Sequence, residues 1–414
     1  MIKFLRLKII FVLILLFSQT AYSYSNVIVV PPSPVEKPWG MTVTEIKSWN
    51  PEWISFFSEN GLDPSKRWGE FWFGDHPQHQ NLELKKLASN KKTYDDFAGH
   101  DVSSAYYNWY QYHYPVLMKY LLSGRGLSLH YHWDPAERRC NTLENIPRYE
   151  PGKVEVWYVL RSDENGGLLM GLKPNVKVES AIKAFIEENN KTGKKDLKTT
   201  KKLRNMLKFV KVKAGDVLFM APWLPHSLGG SPNKMDGDKV AIIEIMHTSD
   251  SIVRLSDWER SDPKRPLLRN IKDVAFKESD LKLIKEASNN LDKFIFRADK
   301  INKNKVKVKG GFITTLVKGF YGINVIKVEA DMKGVLSDAL GDIDSYLTIL
   351  YADGDNFKIT STGKEYTGES VLVDQKAPFV IKSATGGKTS VLVAWMDPKQ
   401  WDPPAVYEEQ NCAP

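Results

Sequence analysis

The chain has 414 residues, of which 42% are hydrophobic and 26% charged, as is ordinary for a globular protein of two or three domains. A chain of this length and composition can bury a large core without a stabilising staple. Its formal net charge of +8 comes without an arginine-rich stripe or a nucleic-acid-binding motif, so nucleic acid is excluded as the expected partner.

Residues 1–23 predict a secretory signal peptide. Three basic residues precede an unbroken apolar run at residues 9–17, and Ala21, Tyr22 and Ser23 form a small-x-small cleavage site. The apolar run is too short to span a bilayer, although an uncleaved N-terminal anchor remains the alternative. We therefore expect an exported protein, periplasmic or secreted, with no stable membrane span after cleavage.

The next elements along the chain are short and of mixed type. Residues 25–38 are proline-rich and predicted to be extended, residues 43–60 predict a helix, and residues 68–72 predict a strand. Residues 116–122 form an apolar strand that carries Lys119. A lysine inside such a run is either a snorkelling residue at a sheet edge or a residue of a functional site.

Two histidines stand two positions apart in the next predicted strand, at residues 127–137. Side chains at i and i+2 of a strand point to the same face, so His130 and His132 can converge on one point. A lone His-x-His pair on a strand is more often two surface histidines than two metal ligands. Assigning this pair to a metal therefore requires further ligands elsewhere in the chain.

Two later segments supply the remaining ligands of a metal site. Residues 152–160 place Glu155 in a β-rich run that begins with Gly-Lys-x-Glu, and residues 215–226 form a strand and turn that end at His226. Three imidazoles and one carboxylate can bind a divalent metal and leave room for a substrate.

The chain contains only two cysteines, Cys140 and Cys412. An oxidising compartment would permit a disulfide between them, and two separate thiols are the alternative. Neither lies in a C-x-x-C pair, so neither is assigned to a metal.

The remainder of the chain divides into a helical insertion and a β-rich second half. Residues 176–208 predict the insertion, with helices at residues 178–189 and 201–207. Residues 240–245 predict a buried strand, and a proline-containing boundary lies near residue 262.

The second domain is predicted to occupy residues 263–414, after a first domain at residues 24–262. It is expected to begin with a helix at residues 278–291 and to continue in short strands over residues 294–398. No histidine follows His247, so this half cannot repeat the histidine-rich site and is assigned a packing role.

The order His-x-His, Gly-Lys-x-Glu and Gly-Asp-x5-Pro-x3-His is the motif order of a cupin barrel. With it, the chain resembles the type I phosphomannose isomerases (mannose-6-phosphate isomerases), zinc enzymes of the cupin superfamily. Further similar segments lie at residues 37–40, 69–77, 115–119 and 249–254. The chain departs from the family at His130, where a glutamine is usual, and at Ile252 and Val253, where Thr-Tyr is usual.

The resemblance implies a mainly β, double-cupin protein of two jelly-roll barrels, with a small helical insertion in the first and a degenerate second. It implies one divalent metal, zinc by family and manganese or iron as alternatives. The metal ligands that it implies are His130, His132, Glu155 and His226.

The resemblance also assigns roles to four further residues. Lys153 is implied in proton transfer or substrate binding, Arg254 in stabilising an enediolate or phosphate, Asp250 in orienting that arginine or relaying a proton, and Lys119 in holding the phosphate. Glu137 remains a rival of Glu155 as the carboxylate ligand, because His-x-His-x4-Glu matches the general cupin pattern.

The implied function is interconversion of mannose 6-phosphate and fructose 6-phosphate, or of a related sugar, through an enediol intermediate. The expected partner is therefore a small-molecule sugar or sugar phosphate, bound by a monomer. Two alternatives stay open: an exported cupin oxidoreductase with a three-His-one-Glu manganese or iron site, and a sugar-binding cupin without catalysis.

Overall fold

The structure is a computed structural model that describes residues 27–50, 62–74, 116–141, 148–190, 197–231, 236–258, 260, 267–273, 275–341, 346–354, 356–361, 363–367, 370–374, 378–397 and 400. The predicted leader, the end of the predicted helix at residues 43–60, the boundary segment at residues 261–266, and Cys412 lie outside these ranges. None of the helices within them is long and apolar enough to cross a membrane.

The described strands are numbered in chain order. Their bounds are β1 Val27–Val29, β2 Ser33–Thr42, β3 Arg67–Phe73, β4 Val116–Arg125, β5 Leu129–Tyr131, β6 Arg138–Asn141, β7 Arg148–Pro151, β8 Glu155–Ser162, β9 Gly167–Leu172, β10 Leu207–Lys211, β11 Val217–Met220, β12 His226–Leu228, β13 Asp236–His247, β14 Val253–Ser256, β15 Ile295–Phe296, β16 Lys305–Val308, β17 Gly311–Phe320, β18 Ile323–Ala330, β19 Val335–Leu336, β20 Tyr346–Gly354, β21 Phe357–Ser361, β22 Lys364–Thr367, β23 Ser370–Asp374, β24 Phe379–Ser383 and β25 Thr389–Met396.

The described helices are few and short. Their bounds are α1 Val43–Trp49, α2 Val178–Asn190, α3 Leu197–Arg204, α4 Asp280–Asn289 and α5 Ala298–Ile301, with 3-10 turns at Leu291–Phe294, Asn302–Asn304 and Ser337–Leu340. Strands thus dominate the described chain, which confirms the predicted mainly β fold.

The first half of the molecule is built from two antiparallel sheets. The larger has the strand order β15-β11-β8-β13-β4-β3-β2, and the smaller has the order β10-β9-β12-β5-β14. A shared hydrophobic cluster joins their inner faces, with Trp157 and Ile242 from the larger sheet and Met170 and Leu228 from the smaller. The histidine strands β5 and β12 lie in the smaller sheet, so Glu155 on β8 reaches them from the opposite wall.

Strand β13 is buried on both faces, which explains its unbroken apolar run. Ile242 belongs to the core between the two sheets of the first half. Ile243 and Ile245 point the other way, into a cluster that also contains Val325 and Val393 of the second half. The larger sheet therefore separates the barrel interior from the contact between the two halves.

The second half contains a sheet of order β1-β23-β20-β25-β18-β17-β16 and one of order β19-β24-β21-β22. Two segments cross the division expected at residue 262. Val27–Val29 pairs with Val371–Val373 of the second half, whereas Ile295–Phe296 pairs with β11 of the first. Helix α4 also belongs with the first half, because Ile284 packs in the cluster of Leu129 and Phe185.

The helical insertion is present, and its second helix lies earlier than predicted. Helix α2 buries Ile182 and Phe185 as its spacing indicates. Helix α3 ends at Arg204 rather than near residue 207, because Leu207 already pairs with Leu172 in the smaller sheet. Helix α1 ends at Trp49, and Asn50 is extended, as a residue before proline prefers.

Cys140 lies in β6 and is disulfide-bonded. For this residue, the structure therefore shows a disulfide and not a separate thiol. Its strand pairs with β7, where Cys140 lies opposite Tyr149.

Candidate metal centre

Three buried imidazoles meet between the two sheets of the first half. His130 on β5 lies directly opposite His226 on β12, with ring centroids 4.5 Å apart. His132, one residue beyond the end of β5, lies 5.1 Å from each of the other two rings. The nitrogen atoms available as ligands all lie within 4.8 Å of one another, so the cluster can hold a metal ion.

The backbone fixes the orientation of each imidazole. In the three rings, Nδ1 lies 2.5–2.9 Å from a backbone carbonyl oxygen, that of Ser128, Ser251 or Leu224. A carbonyl oxygen only accepts hydrogen bonds, so each Nδ1 carries the proton and each Nε2 presents a lone pair. Such carbonyl contacts commonly orient metal-binding histidines.

The carboxylate of Glu155 closes the cluster from the opposite sheet. Its Oε1 lies 3.0 Å from Nε2 of His132, and its Oε2 lies 3.5 Å from Nε2 of His226. Those two buried Nε2 atoms receive no hydrogen bond from any residue that the structure describes. Burial lowers the pKa of His132 to about 3, so its ring is neutral and two acceptors face each other.

Facing acceptors are unfavourable in a dry interior unless a cation lies between them. The nitrogen and oxygen donors around this point are those that a divalent transition metal such as zinc prefers. The residues present therefore fit a divalent metal ion.

The glycine of Gly-Lys-x-Glu is required by a close approach between two chain segments. A Cβ added at Gly152 would collide with the carbonyl oxygens of Trp133 and Asp134, which directly follow His132. The amide of Gly152 also donates to the carbonyl of Glu137 at 2.9 Å. Only glycine lets the segment that carries Glu155 pass this close to the end of the histidine strand.

The rival carboxylate is directed elsewhere. Glu137 Oε2 lies 2.8 Å from Nη2 of Arg139 and 3.2 Å from Nζ of Lys277. These two ion pairs hold Glu137 at the surface beside α4, whereas Glu155 faces the imidazoles.

A buried ion pair fixes the histidine strand from the outside. Tyr131, between the two histidines, donates to Oδ2 of Asp280 at 2.9 Å. Arg139 donates to both carboxylate oxygens of Asp280, at 2.7 and 3.0 Å. Asp280 thereby ties the segment between the metal-binding residues to the first turn of α4.

Replacing Asp280 with alanine should therefore destabilise the fold. The change leaves the buried guanidinium of Arg139 without its main partner, which typically costs about 3–5 kcal/mol. We expect urea denaturation to show a loss of this size. As a control, Glu286→Ala on the same helix breaks only an exposed pair with Lys282 and should change stability by less than about 0.5 kcal/mol. Equal effects of the two changes would contradict the assigned role of Asp280.

A row of four side chains crosses the larger sheet above the metal cluster. The strand registers place Trp72 beside Lys119, Lys119 beside Glu244, and Glu244 beside Trp157. Lys119 Nζ lies 3.4 Å from Oε2 of Glu244 and 4.0 Å from the centroid of Trp72. The indole of Trp157 donates to Glu155 at 3.1 Å and to Glu244 at 3.2 Å.

This row forms one wall of a cavity of about 330 Å³, which also reaches His130, His132 and Glu155. The metal cluster thus opens into a space that a small polar molecule can occupy.

Lys153 lies at the junction of the cluster and the cavity. Its Nζ is 2.8 Å from Oε1 of Glu155, and the side chain is buried. Burial lowers the pKa of Lys153, but the negative charges of Glu155 and Glu244 outweigh it and raise the pKa above its usual value. Lys153 is therefore a charged hydrogen-bond donor here.

Solved structures with the same fold are known. The mannose 6-phosphate isomerase from Bacillus subtilis superposes with a TM-score of 0.58 at 18% identity, covering 90% of this chain and all of that one. The apo mannose 6-phosphate isomerase from Salmonella typhimurium gives a TM-score of 0.55 at 13% identity, covering 89% and 99%. The fold is that of the mannose-6-phosphate isomerases. A zinc-bound mannose 6-phosphate isomerase is similarly related, with a TM-score of 0.54 at 14% identity, covering 89% of this chain and 99% of that one.

A curated relative carries a matching name. "Probable mannose-6-phosphate isomerase GmuF" from Bacillus subtilis (strain 168) is 23% identical over 198 residues, which are 48% of this chain and 54% of the relative. The chain thus matches about half the length of this curated relative. No family model matches the chain.

Of the two remaining predicted site residues, Asp250 lies at the cavity and Arg254 does not. Asp250 lines the cavity, and its amide donates to Oε2 of Glu150 at 3.0 Å. Arg254 lies beside His130 in the sheet register, yet its buried guanidinium contacts Asp257 and it is not among the described residues that line the cavity.

Sequence reasoning missed Glu244. This carboxyl is buried and lines the cavity, and burial, followed by the charge of Glu155, raises its pKa to about 7. The available signal was a charged residue inside the apolar run at residues 240–245, the same signal that singled out Lys119.

Proposed function

We propose that the protein is a metal-dependent aldose–ketose isomerase that interconverts mannose and fructose, or their 6-phosphates, through an enediol intermediate. The observation that carries this proposal is the position of a buried carboxyl, Glu244, and an ammonium donor, Lys153, in one cavity beside the three-imidazole cluster. The fold and the curated relative support the same class.

The metal ion would be held by Nε2 of His130, His132 and His226 and by Glu155. We propose zinc, because zinc takes nitrogen and carboxylate donors readily and occupies a related isomerase. When bound, a divalent ion polarises the sugar's oxygens and stabilises the negative charge that develops on them.

The chain's own groups would move the proton. A carboxylate whose conjugate acid has a pKa near 7 is well suited to remove a proton from C2 and deliver it to C1. The same group can carry out the reverse transfer. We assign this transfer to Glu244. Lys153 would donate a hydrogen bond to the oxygen that becomes negative in the enediolate, and Asp250 would orient the sugar at the cavity wall.

We also propose that the protein is exported. The leader at residues 1–23 predicts it, and the disulfide of Cys140 suits an oxidising compartment. N-terminal sequencing of the purified protein distinguishes cleavage after Ser23 from an intact leader.

The isomerase proposal predicts that zinc-loaded protein converts aldose to ketose. Mannose, mannose 6-phosphate and the two fructose counterparts are incubated separately, and NMR follows both isomers. Formation of the ketose from at least one aldose is the expected result, with metal-stripped protein as the control. No interconversion in any pair would refute the proposal.

A second candidate function rests on the third imidazole. Three nitrogen donors and one carboxylate also suit manganese or iron in an oxidoreductase. Oxygen consumption by the manganese- or iron-loaded protein, without any isomerisation, would favour this candidate. Sugar binding without turnover of either kind would instead indicate a binding protein.

A further inference from the structure

We infer that the substrate of this site is an uncharged sugar rather than a sugar phosphate. This inference rests on the proposed isomerase function and names its substrate class. It depends on the charge of the cavity and on the way its lysines are paired.

Among the residues that the structure describes, those lining the cavity carry no excess of positive charge to hold a phosphate. Five of its described lining residues are acidic and three are lysines, a formal charge of −2, and none is an arginine. A divalent metal ion would bring this charge to zero. A phosphate group with up to two negative charges would then meet no net positive charge among the described lining residues to offset its desolvation.

Each of the three described lysines that line the cavity is paired with a carboxylate. Lys37 Nζ lies 3.3 Å from Oε1 of Glu70. Nζ of Lys119 lies 3.4 Å from Oε2 of Glu244, and Nζ of Lys153 lies 2.8 Å from Oε1 of Glu155. A phosphate would have to compete with these carboxylates for the same ammonium groups, in a place where breaking a buried pair is costly.

Paired charges and indole rings suit the hydroxyl-rich surface of a neutral sugar. A carboxylate accepts and an ammonium group donates, so one pair can hydrogen-bond to neighbouring hydroxyls without a net charge on the ligand. Trp39, Trp72 and Trp157 line the same cavity, and indole rings pack well against the C–H side of a sugar ring. An uncharged aldose is therefore the matching ligand.

The inference is tested with unreactive polyols and with substrates. Mannitol and mannitol 1-phosphate have no carbonyl group, so calorimetry on the metal-loaded protein measures their binding separately from turnover. We expect mannitol to bind at least about tenfold more tightly, and kcat/KM for mannose to exceed that for mannose 6-phosphate by a similar factor.

The outcomes separate this inference from the isomerase proposal. Tighter binding of mannitol 1-phosphate, or binding of neither polyol, would overturn the inference even if isomerisation is observed. Selective binding of mannitol without any turnover would support the inference and refute the isomerase.

Removing one cavity carboxylate should shift the binding preference from mannitol towards mannitol 1-phosphate. Glu70→Gln removes the carboxylate beside Lys37 but keeps an amide oxygen for the indole of Trp72, which donates to Glu70 at 2.6 Å. The affinity for mannitol 1-phosphate relative to mannitol should rise about tenfold or more.

The matched control is Glu365→Gln, which removes the same charge from an exposed residue of the second half, where Oε1 of Glu365 lies 2.5 Å from Nζ of Lys382. It should leave the preference unchanged because Glu365 does not line the cavity and its charge is screened by solvent. Equal effects of the two variants, with both folds intact by circular dichroism, would contradict the inference.

Discussion

Alanine at His132 or His226 is expected to remove the metal from the protein. Each change deletes a nitrogen donor from a buried cluster and leaves Glu155 with one fewer partner across the metal position. Loss of a group that merely orients a ligand typically weakens metal binding by about 10–100-fold, and loss of the ligand itself should exceed that. Elemental analysis after dialysis should find about one divalent ion per chain in the wild type and almost none in either variant.

His247→Ala provides the control for this measurement. His247 is also fully buried, but its Nε2 bonds to the carbonyl of Tyr321 at 3.0 Å and the ring is not part of the cluster. This variant should keep its metal. Full metal content in both cluster variants would show that the ion is held elsewhere.

Changes at Lys153 and Glu244 should instead lower turnover strongly while the metal stays bound. Lys153→Met keeps the length of the side chain without its charge, and Glu244→Gln keeps an acceptor for the indole of Trp157. Each change should lower kcat about 100-fold or more, as is usual for a lost acid–base or oxyanion-stabilising group. Steady-state kinetics and metal analysis on the same preparations measure both effects.

The matched controls come from an ion pair of the second half. Lys305→Met and Glu329→Gln make the same chemical changes at an ion pair in which Nζ of Lys305 lies 2.5 Å from Oε2 of Glu329. Both residues belong to a sheet that does not line the cavity. Both should keep near-normal turnover. Near-normal turnover in Lys153→Met or Glu244→Gln would exclude that residue from the proposed mechanism.

The four ligand candidates could be named from the sequence because each lies in a local motif. The spacing of His130 and His132 determines their shared face, and the glycine before Glu155 marks the close approach that the structure shows at Gly152. Such short-range patterns can be read without knowing how distant parts of the chain pair. The predicted strand at residues 116–122 was recognisable for the same reason.

Other features of the site depend on long-range register, which no local pattern contains. Glu244 lies in the cavity because β13 pairs with β4 and β8 in one particular register, and a shift of one residue would exchange it with Ile243 or Ile245. The charge state of Lys153 likewise depends on Glu244, which is 91 residues away in the chain.

The sequence could not show which half of the molecule two short strands join, for a similar reason. Val27–Val29 and Ile295–Phe296 each pair with a sheet that is distant in sequence. Two- and three-residue strands carry too little periodicity to show which sheet they join.

Transfer of a proton between C1 and C2 of a sugar in this cavity can be followed with an isotope label. Zinc-loaded protein is incubated with mannose, or mannose 6-phosphate, carrying deuterium at C2, and NMR locates the label. We expect the label to move to C1 of the ketose or to be lost to solvent, and we expect Glu244→Gln or removal of the metal to prevent this. Deuterium that stays at C2 in both substrates, with zinc, manganese or iron in the site, would refute proton transfer between C1 and C2 in this cavity.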